Sequence, residues 1–282
     1  MYKNGNPNYN EIVFTIQQEQ EIIQSYLNGL SSVKIGKKYN VSHKIILKVL
    51  HKNNIEVSQK RLVRKYALDE NYFDVIDTQN KAYILGFLYA DGSNSISKCT
   101  ITMSLQEEDK NILENIRSEL KSEKPLDYLD YSNKHDFGYS YKNQYRLIVH
   151  SKHMCESLKY IGMVPNKSLV LEFPNISKEL YPHFIRGYFD GDGSVVQQIK
   201  NENNHAVMIT ITPTEMFCKK LVDICKTQLK FEPKIYDASC HNNITKVFTI
   251  SGRNICKQFL DWIYKDANMY LDRKYKNINK KL

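Results

Sequence analysis

The 282-residue sequence predicts an α+β protein made of two copies of one αββαββα unit, related by pseudo-twofold symmetry and preceded by a small all-α domain. Three observations predict this. The segment Ala82-Tyr83-Ile84-Leu85-Gly86-Phe87-Leu88-Tyr89-Ala90-Asp91-Gly92-Ser93 recurs 101 residues later as His183-Phe184-Ile185-Arg186-Gly187-Tyr188-Phe189-Asp190-Gly191-Asp192-Gly193-Ser194. Two strand-like stretches recur in the same order, Ile101–Ser104 at 209–212 and Val149–Lys152 at 250–253, with Cys155 and Cys256 in register. The first 57 residues carry helical periodicity instead and share no part of the repeat. Self-similarity at a long period is the signature of duplicated architecture.

Before the repeat, Gln17–Leu27 places Ile22, Ile23, Tyr26 and Leu27 on one helical face, and Gly29 ends it. Ser31 or Ser32 is placed to cap a second helix holding Val33 and Ile35, and Asn40-Val41 makes a turn. Ser42 then opens a third helix with Ile45, Ile46, Val49 and Leu50 inward and His43, Lys44, Lys48, His51 and Lys52 outward. Three short helices with a basic outer face resemble a helix-turn-helix module, and residues 1–57 are assigned to it. Residues 58–76, opening with Lys60, Arg61, Arg64 and Lys65, read as a basic linker.

In the first repeat, 77–178, a helix at 80–90 precedes strands within 95–105, where Ile101, Met103 and Leu105 alternate with Thr102 and Ser104. An amphipathic helix at 109–120, strands near 126–131 and 138–150, and a helix at 152–161 complete it. The second repeat, 179–282, places its strands near 195–198, 206–212, 234–237 and 246–251.

Charge is concentrated. Net charge is +9, and between Lys34 and Lys65 ten Lys or Arg face Glu56 alone, the usual footprint of a phosphate-binding arm. No apolar run approaches the ~20 residues of a membrane span. The opening Met1-Tyr2-Lys3-Asn4-Gly5-Asn6-Pro7 lacks a signal-like apolar stretch, so a cytoplasmic location with no membrane partner is expected. Six scattered cysteines without a CxxC pair read as isolated thiols rather than a zinc site.

The chemistry lies in the repeated segment. Gly86 and Ala90 lie four apart on one helix, as do Gly187 and Gly191 on the other, and small residues at that spacing let two helix backbones approach closely. Each helix ends at Asp-Gly, with glycine expected to permit the turn and aspartate to point off the end. Packing about a pseudo-twofold brings Asp91 and Asp192 together. Two such carboxylates repel unless a hard cation sits between them, Mg²⁺ (or Mn²⁺) being suited to oxygen ligands and to phosphodiester hydrolysis.

The two segments resemble the LAGLIDADG signature of homing endonucleases, and the resemblance spans about 77–282. It implies two saddle-shaped antiparallel sheets, cleavage of both strands of a long double-stranded DNA site, and metal binding by Asp91 and Asp192. Divergent halves within one chain imply a monomer acting on a non-palindromic target. A late basic residue in each repeat is implied to activate water or stabilise developing charge; Lys167, 76 residues after Asp91, and Lys274, 82 after Asp192, are the candidates. Gln106 and Thr214 fall where the family places polar groups near the attacking water, and Lys110 follows one turn on, although its counterpart is Cys218. Arg146, Lys246, Tyr139, Tyr141 and the strand threonines are candidate base readers, and Lys44, Lys48, Lys52, Arg61 and Arg64 candidate phosphate contacts. Asp190 matches the motif's first acid where the first copy has Tyr89, a position the resemblance makes structural. The alternative is a non-cleaving DNA-binding regulator or RNA maturase on the same fold; retention of both acids argues against it.

Overall fold

The computed structural model describes residues 14–57, 65–132, 135–136, 139–201, 204–238 and 245–281. The chain divides into two compact units, Met1–Lys65 and Tyr66–Leu282.

The first unit holds α1 (Ile16–Leu27), α2 (Ser32–Lys38) and α3 (His43–Lys52) around Ile22, Ile35, Ile46, Val49 and Leu50. Thr15 and Gln18 form a reciprocal capping box at the start of α1, satisfying two otherwise orphaned N–H groups. Ser31 caps α2 by accepting from the Lys34 amide, and Asn40 turns the chain at φ 53°. Ser42 occupies the N-cap of α3 without making the side-chain hydrogen bond expected of it.

The second unit repeats one motif. The first copy runs α4 (Gln79–Asp91), β1 (Gly92–Ser95), β2 (Thr100–Gln106), α5 (Lys110–Glu119), β3 (Asp127–Leu129), a small hairpin of β4 (His135–Asp136) and β5 (Tyr139–Ser140), β6 (Gln144–His150) and α6 (Lys152–Ile161). The second runs α7 (Tyr181–Asp192), β7 (Ser194–Asn201), β8 (Asn204–Ile211), α8 (Glu215–Ile224), β9 (Lys234–Asp237), β10 (Lys246–Ser251) and α9 (Arg253–Tyr264). A further helix, α10 (Asp272–Lys281), follows. The sheets are equivalent and antiparallel, ordered β1-β2-β6-β3 and β7-β8-β10-β9. The fold is the duplicated α+β arrangement that the repeat predicts.

Helices α4 and α7 are buried on all sides, Ala82–Tyr89 and Phe184–Asp190 being inaccessible throughout, as expected of central helices. They pack on each other through glycine. A Cβ on Gly86 would lie 2.0 Å from the Phe184 carbonyl oxygen, and one on Gly187 would lie 2.0 Å from the Tyr83 carbonyl oxygen. Both pairs of positions differ by 101, so each helix presents the same patch to the other, the reciprocity of a twofold interface. One face of each sheet covers this core. Ile101, Met103 and Leu105 are buried while Thr100, Thr102, Ser104 and Gln106 are half-exposed; Val207, Ile209 and Ile211 repeat the buried row.

Two expectations are corrected. The linker drawn to residue 76 ends sooner: the second unit begins at Tyr66, and Tyr72 and Phe73 are buried in its core, because two adjacent aromatics gain more by packing there than a solvated linker allows. The Asp-Gly glycines adopt no left-handed turn. Gly92 and Gly193 are extended at φ −82° and −77°, and glycine is needed for room, since a Cβ would meet Leu88 at 2.6 Å and the Phe189 ring at 2.0 Å. The chain therefore runs straight from each central helix into a strand.

Candidate active site

Asp91 and Asp192 are the last residues of α4 and α7, and the helices abut there. A Cβ on Gly191 would lie 2.3 Å from the Ala90 Cβ and 3.1 Å from an Asp91 carboxylate oxygen. Burial then alternates along both chains: Asp91, Ser93 and Ser95 face outward between buried Gly92 and Asn94, as Asp192, Ser194 and Val196 do between buried Gly193 and Val195. This alternation puts each carboxylate on the side of its own sheet's open face.

The two carboxylates are accessible to solvent, yet protein surrounds them closely enough to alter their ionisation. Asp91 is pushed up to about 6, first by desolvation and then by the Asp192 charge, against the opposing pull of Lys274 and Lys167. Desolvation also raises Asp192, which Lys167, Lys274 and a hydrogen bond from the Tyr188 hydroxyl draw back. The first copy has Phe87 at that position and no hydroxyl.

The lysines occupy equivalent places. Lys167, in a tight turn entered through Asn166 at φ 55°, donates to the Ala90 carbonyl oxygen at 2.9 Å. Lys274, in the first turn of α10, donates to the Gly191 carbonyl oxygen at 3.2 Å and to those of Phe189 and Gly193 at 2.7 and 2.6 Å. Each cation thus sits at a helix C-terminus, where the helix dipole favours it. Burial lowers both lysines, Lys274 to about 8, and both aspartates oppose that shift.

Two carboxylates form an all-oxygen donor set suited to Mg²⁺ or Mn²⁺. Their mutual repulsion and desolvation are what a divalent cation would relieve, so the residues fit the ion. Among the described residues no group of three or more His, Cys, Asp or Glu offers a metal cage. Mg²⁺ is typically held by one or two carboxylates with water and substrate phosphate completing its shell, so a pair suffices.

Asp190 is structural. It is 1% exposed and accepts hydrogen bonds from the Tyr83 hydroxyl at 2.9 Å, the Tyr264 hydroxyl and the Leu271 amide at 2.8 Å, tying α4, α7, α9 and the approach to α10 together. Desolvation raises it to about 6 despite these donors.

The other candidates divide. Arg146 lies on the open face of its sheet, opposite Ser104, to which its Nε donates at 2.9 Å. Gln106 ends the same face and accepts from Lys142 at 3.1 Å. Lys110 sits over the Tyr145 ring at 4.8 Å and lies 4.0 Å from Glu114. Thr214 is buried and caps α8, accepting from the Phe217 amide and donating to the Leu171 carbonyl oxygen. Lys246 shares the parity of Phe248 and Ile250, on the helix-packed side, and pairs with Asp237 at 2.5 Å. Neither Thr214 nor Lys246 lies on the open face. In the first unit Lys44 and Lys48 are exposed on α3, whereas Lys52 pairs with Glu19 at 2.7 Å. Arg61 and Arg64 lie outside the described residues, as does the side chain of Tyr139.

Sequence reasoning missed two buried ionic features. Arg186 is fully buried, donating to the Met269 and Ile263 carbonyl oxygens and packing over the Tyr83 ring. Arg273 forks onto buried Asp109, its Nη2 donating at 2.7 Å, and joins α10 to the first repeat. An arginine set among Phe184, Ile185, Tyr188 and Phe189 in α7 was a legible signal for the first; the second pair, 164 residues apart, had none.

Residues 179–263 match the LAGLIDADG-like domain family. The match falls on the second repeat, whose 183–194 segment corresponds to 82–93 in the first. An uncharacterized protein of Methanocaldococcus jannaschii is 27% identical over 212 residues, covering 70% of this chain and 71% of that protein. The DNA-directed RNA polymerase subunit Rpo1C of the same organism is 30% identical over 135 residues, 48% of this chain but 14% of that subunit. Among solved structures, the meganuclease I-SmaMI bound to uncleaveable DNA is similar at a TM-score of 0.48 and 14% identity, over 72% of this chain and 90% of that one. The LAGLIDADG meganuclease I-AabMI bound to uncleaved DNA is similar at 0.44 and 14%, over 68% and 86%.

Proposed function

We propose that this chain, which carries a LAGLIDADG-like domain at 179–263, is a homing-type endonuclease that hydrolyses both strands of a long, non-palindromic double-stranded DNA site. The observation that carries the reading is the pairing of Asp91 and Asp192 at abutting helix ends, each accompanied by a half-buried lysine. When bound, Mg²⁺ (or Mn²⁺) supplies Lewis-acid activation of phosphate and water. Asp91 and Asp192 would hold it and orient it towards the scissile phosphates. In each strand a water oxygen attacks phosphorus, the bridging P–O bond breaks, the attacking water gives up a proton to solvent, and the leaving oxygen takes a proton from solvent to become a free hydroxyl.

Lys167 and Lys274 supply positive charge where negative charge accumulates as the phosphate is attacked. Lys274, whose three N–H donors are all engaged by helix-end carbonyls, acts by its field, whereas Lys167 spends one donor on Ala90 and keeps two for phosphate or water. The open sheet faces, Arg146 and Gln106 among them, suit the width and polarity of a major groove. Exposed Lys44 and Lys48 and the basic run ending at Lys65 suit a separate phosphate contact by the N-terminal helices acting as a helix-turn-helix module. Duplication supplies both half-sites from one chain, which supports action as a monomer.

Incubation with duplex DNA and Mg²⁺ tests the reading. Cleavage should require the ion, stop in EDTA and return when Mg²⁺ or Mn²⁺ is restored. Cutting that persists in EDTA would remove the metal from the account; binding without cutting in either ion would favour the non-cleaving regulator.

A further inference from the structure

The duplication allows the two open sheet faces to be compared position by position, and they differ in chemistry. Arg146 stands three residues before Val149 in β6; Val247 stands three before Ile250 in β10. Thr100 precedes Ile101 and pairs with Ser95; Met208 precedes Ile209 and pairs with Val196. All six side chains are half-exposed and share the parity of their face. Three hydrogen-bonding positions in the first sheet, Ser95, Thr100 and Arg146, are therefore apolar in the second, Val196, Met208 and Val247, and one pair runs the other way, half-exposed Ile148 against buried Thr249.

Half-exposed valine and methionine on a strand whose other face already fills the core bury only part of their apolar surface on folding and leave the rest open. The part left open is available to an apolar group that arrives later. In a major groove the apolar group is the C5-methyl of thymine, whereas guanine presents two acceptors that match a guanidinium fork. Arg146 is already oriented, since its Nε donates to Ser104 Oγ at 2.9 Å and leaves the Nη groups to donate to a base.

We propose that the two half-sites are read by different chemistry. The half over β1-β2-β6-β3 is read by hydrogen bonding centred on Arg146 with guanine, and the half over β7-β8-β10-β9 by contact of Val196, Met208 and Val247 with thymine methyls. The inference rests on the endonuclease reading and deepens it by naming the base chemistry of each half.

The test begins by selecting the bound or cut site from a randomised duplex library, then replaces thymine by uracil in one half at a time. Arg146→Ala identifies the first half as the one where a guanine preference relaxes. Uracil in the other half should weaken binding by wild type about fourfold for each contacted thymine, the worth of one buried methyl-sized group. Uracil in the Arg146 half should weaken binding less, since Ile148 is the half-exposed aliphatic residue on the open face of β6. A Met208→Ser, Val247→Ser variant, verified as folded by its melting transition, should no longer distinguish thymine from uracil. Equal sensitivity in both halves, or none in either, overturns the inference while leaving a selected site, and hence the endonuclease reading, intact. Failure to select any site overturns both.

Discussion

Lys167 and Lys274 donate to the carbonyl oxygens of Ala90 and Gly191, the same position on two helices 101 residues apart, yet Lys274 holds two further carbonyls and Lys167 none. Burial lowers both lysines and both aspartates oppose it, but the pair is unequal in its hydrogen bonding. Lys167→Met and Lys274→Met should each slow single-turnover cleavage by about 10- to 100-fold, the usual effect of removing a group that supports a metal site. Lys274→Met should also lower the melting temperature more, because three charge-assisted hydrogen bonds are lost rather than one. Equal destabilisation would contradict the difference in engagement.

The raised carboxyl of Asp91 sets a pH dependence with two signs. Between its ordinary 3.8 and its folded value of about 6, the metal-free folded protein binds this proton more tightly than the unfolded chain. Stability of the metal-free fold from this group therefore falls as pH rises through that window. Metal binding needs the ionised form and runs the other way. Melting scans with and without Mg²⁺ should show a larger stabilisation by the ion at pH 8 than at pH 5; equal shifts at both would remove Asp91 from the metal site.

Backbone contact between α4 and α7 leaves no room for a methyl group. Gly187→Ala would set a Cβ 2.0 Å from the Tyr83 carbonyl oxygen, and two packed helix backbones have little means of yielding. Overpacking of this kind costs about 1–3 kcal/mol or more. A fall in the urea midpoint should report it, whereas an unchanged midpoint would place the helices further apart.

How much of this was legible in the sequence depends on distance along the chain. Asp91 and Asp192 stood out because duplication marks positions by their copies, and Lys167 and Lys274 because the resemblance implied a late basic residue in each repeat. Alternation in Ile101–Leu105 likewise gave the sheet face, since period two is a local property. Thr214 and Lys246 misled because their surroundings are tertiary: Leu171 covers the first, and strand parity turns the second away from the open face. The Asp109–Arg273 pair joins segments with no shared pattern, so only folding reveals it. Tyr72 and Phe73 looked like linker because the charges just before them dominate that stretch.

The N-terminal helices should contribute affinity through phosphate contacts. Deleting residues 1–57 should weaken DNA binding and flatten the dependence of log K on log salt, as fewer counterions are released. An unchanged slope would assign the module to a partner other than DNA.

The most direct test of the paired-aspartate account is cleavage of a randomised duplex library in Mg²⁺, with cut ends sequenced on both strands, for wild type and Asp91→Asn. Wild type should yield one site with a fixed stagger. Asp91→Asn should bind that site but cut it at least about 100-fold more slowly, given that even outer-shell partners of a metal are worth 10- to 100-fold. Cleavage by Asp91→Asn at the wild-type rate would contradict the account.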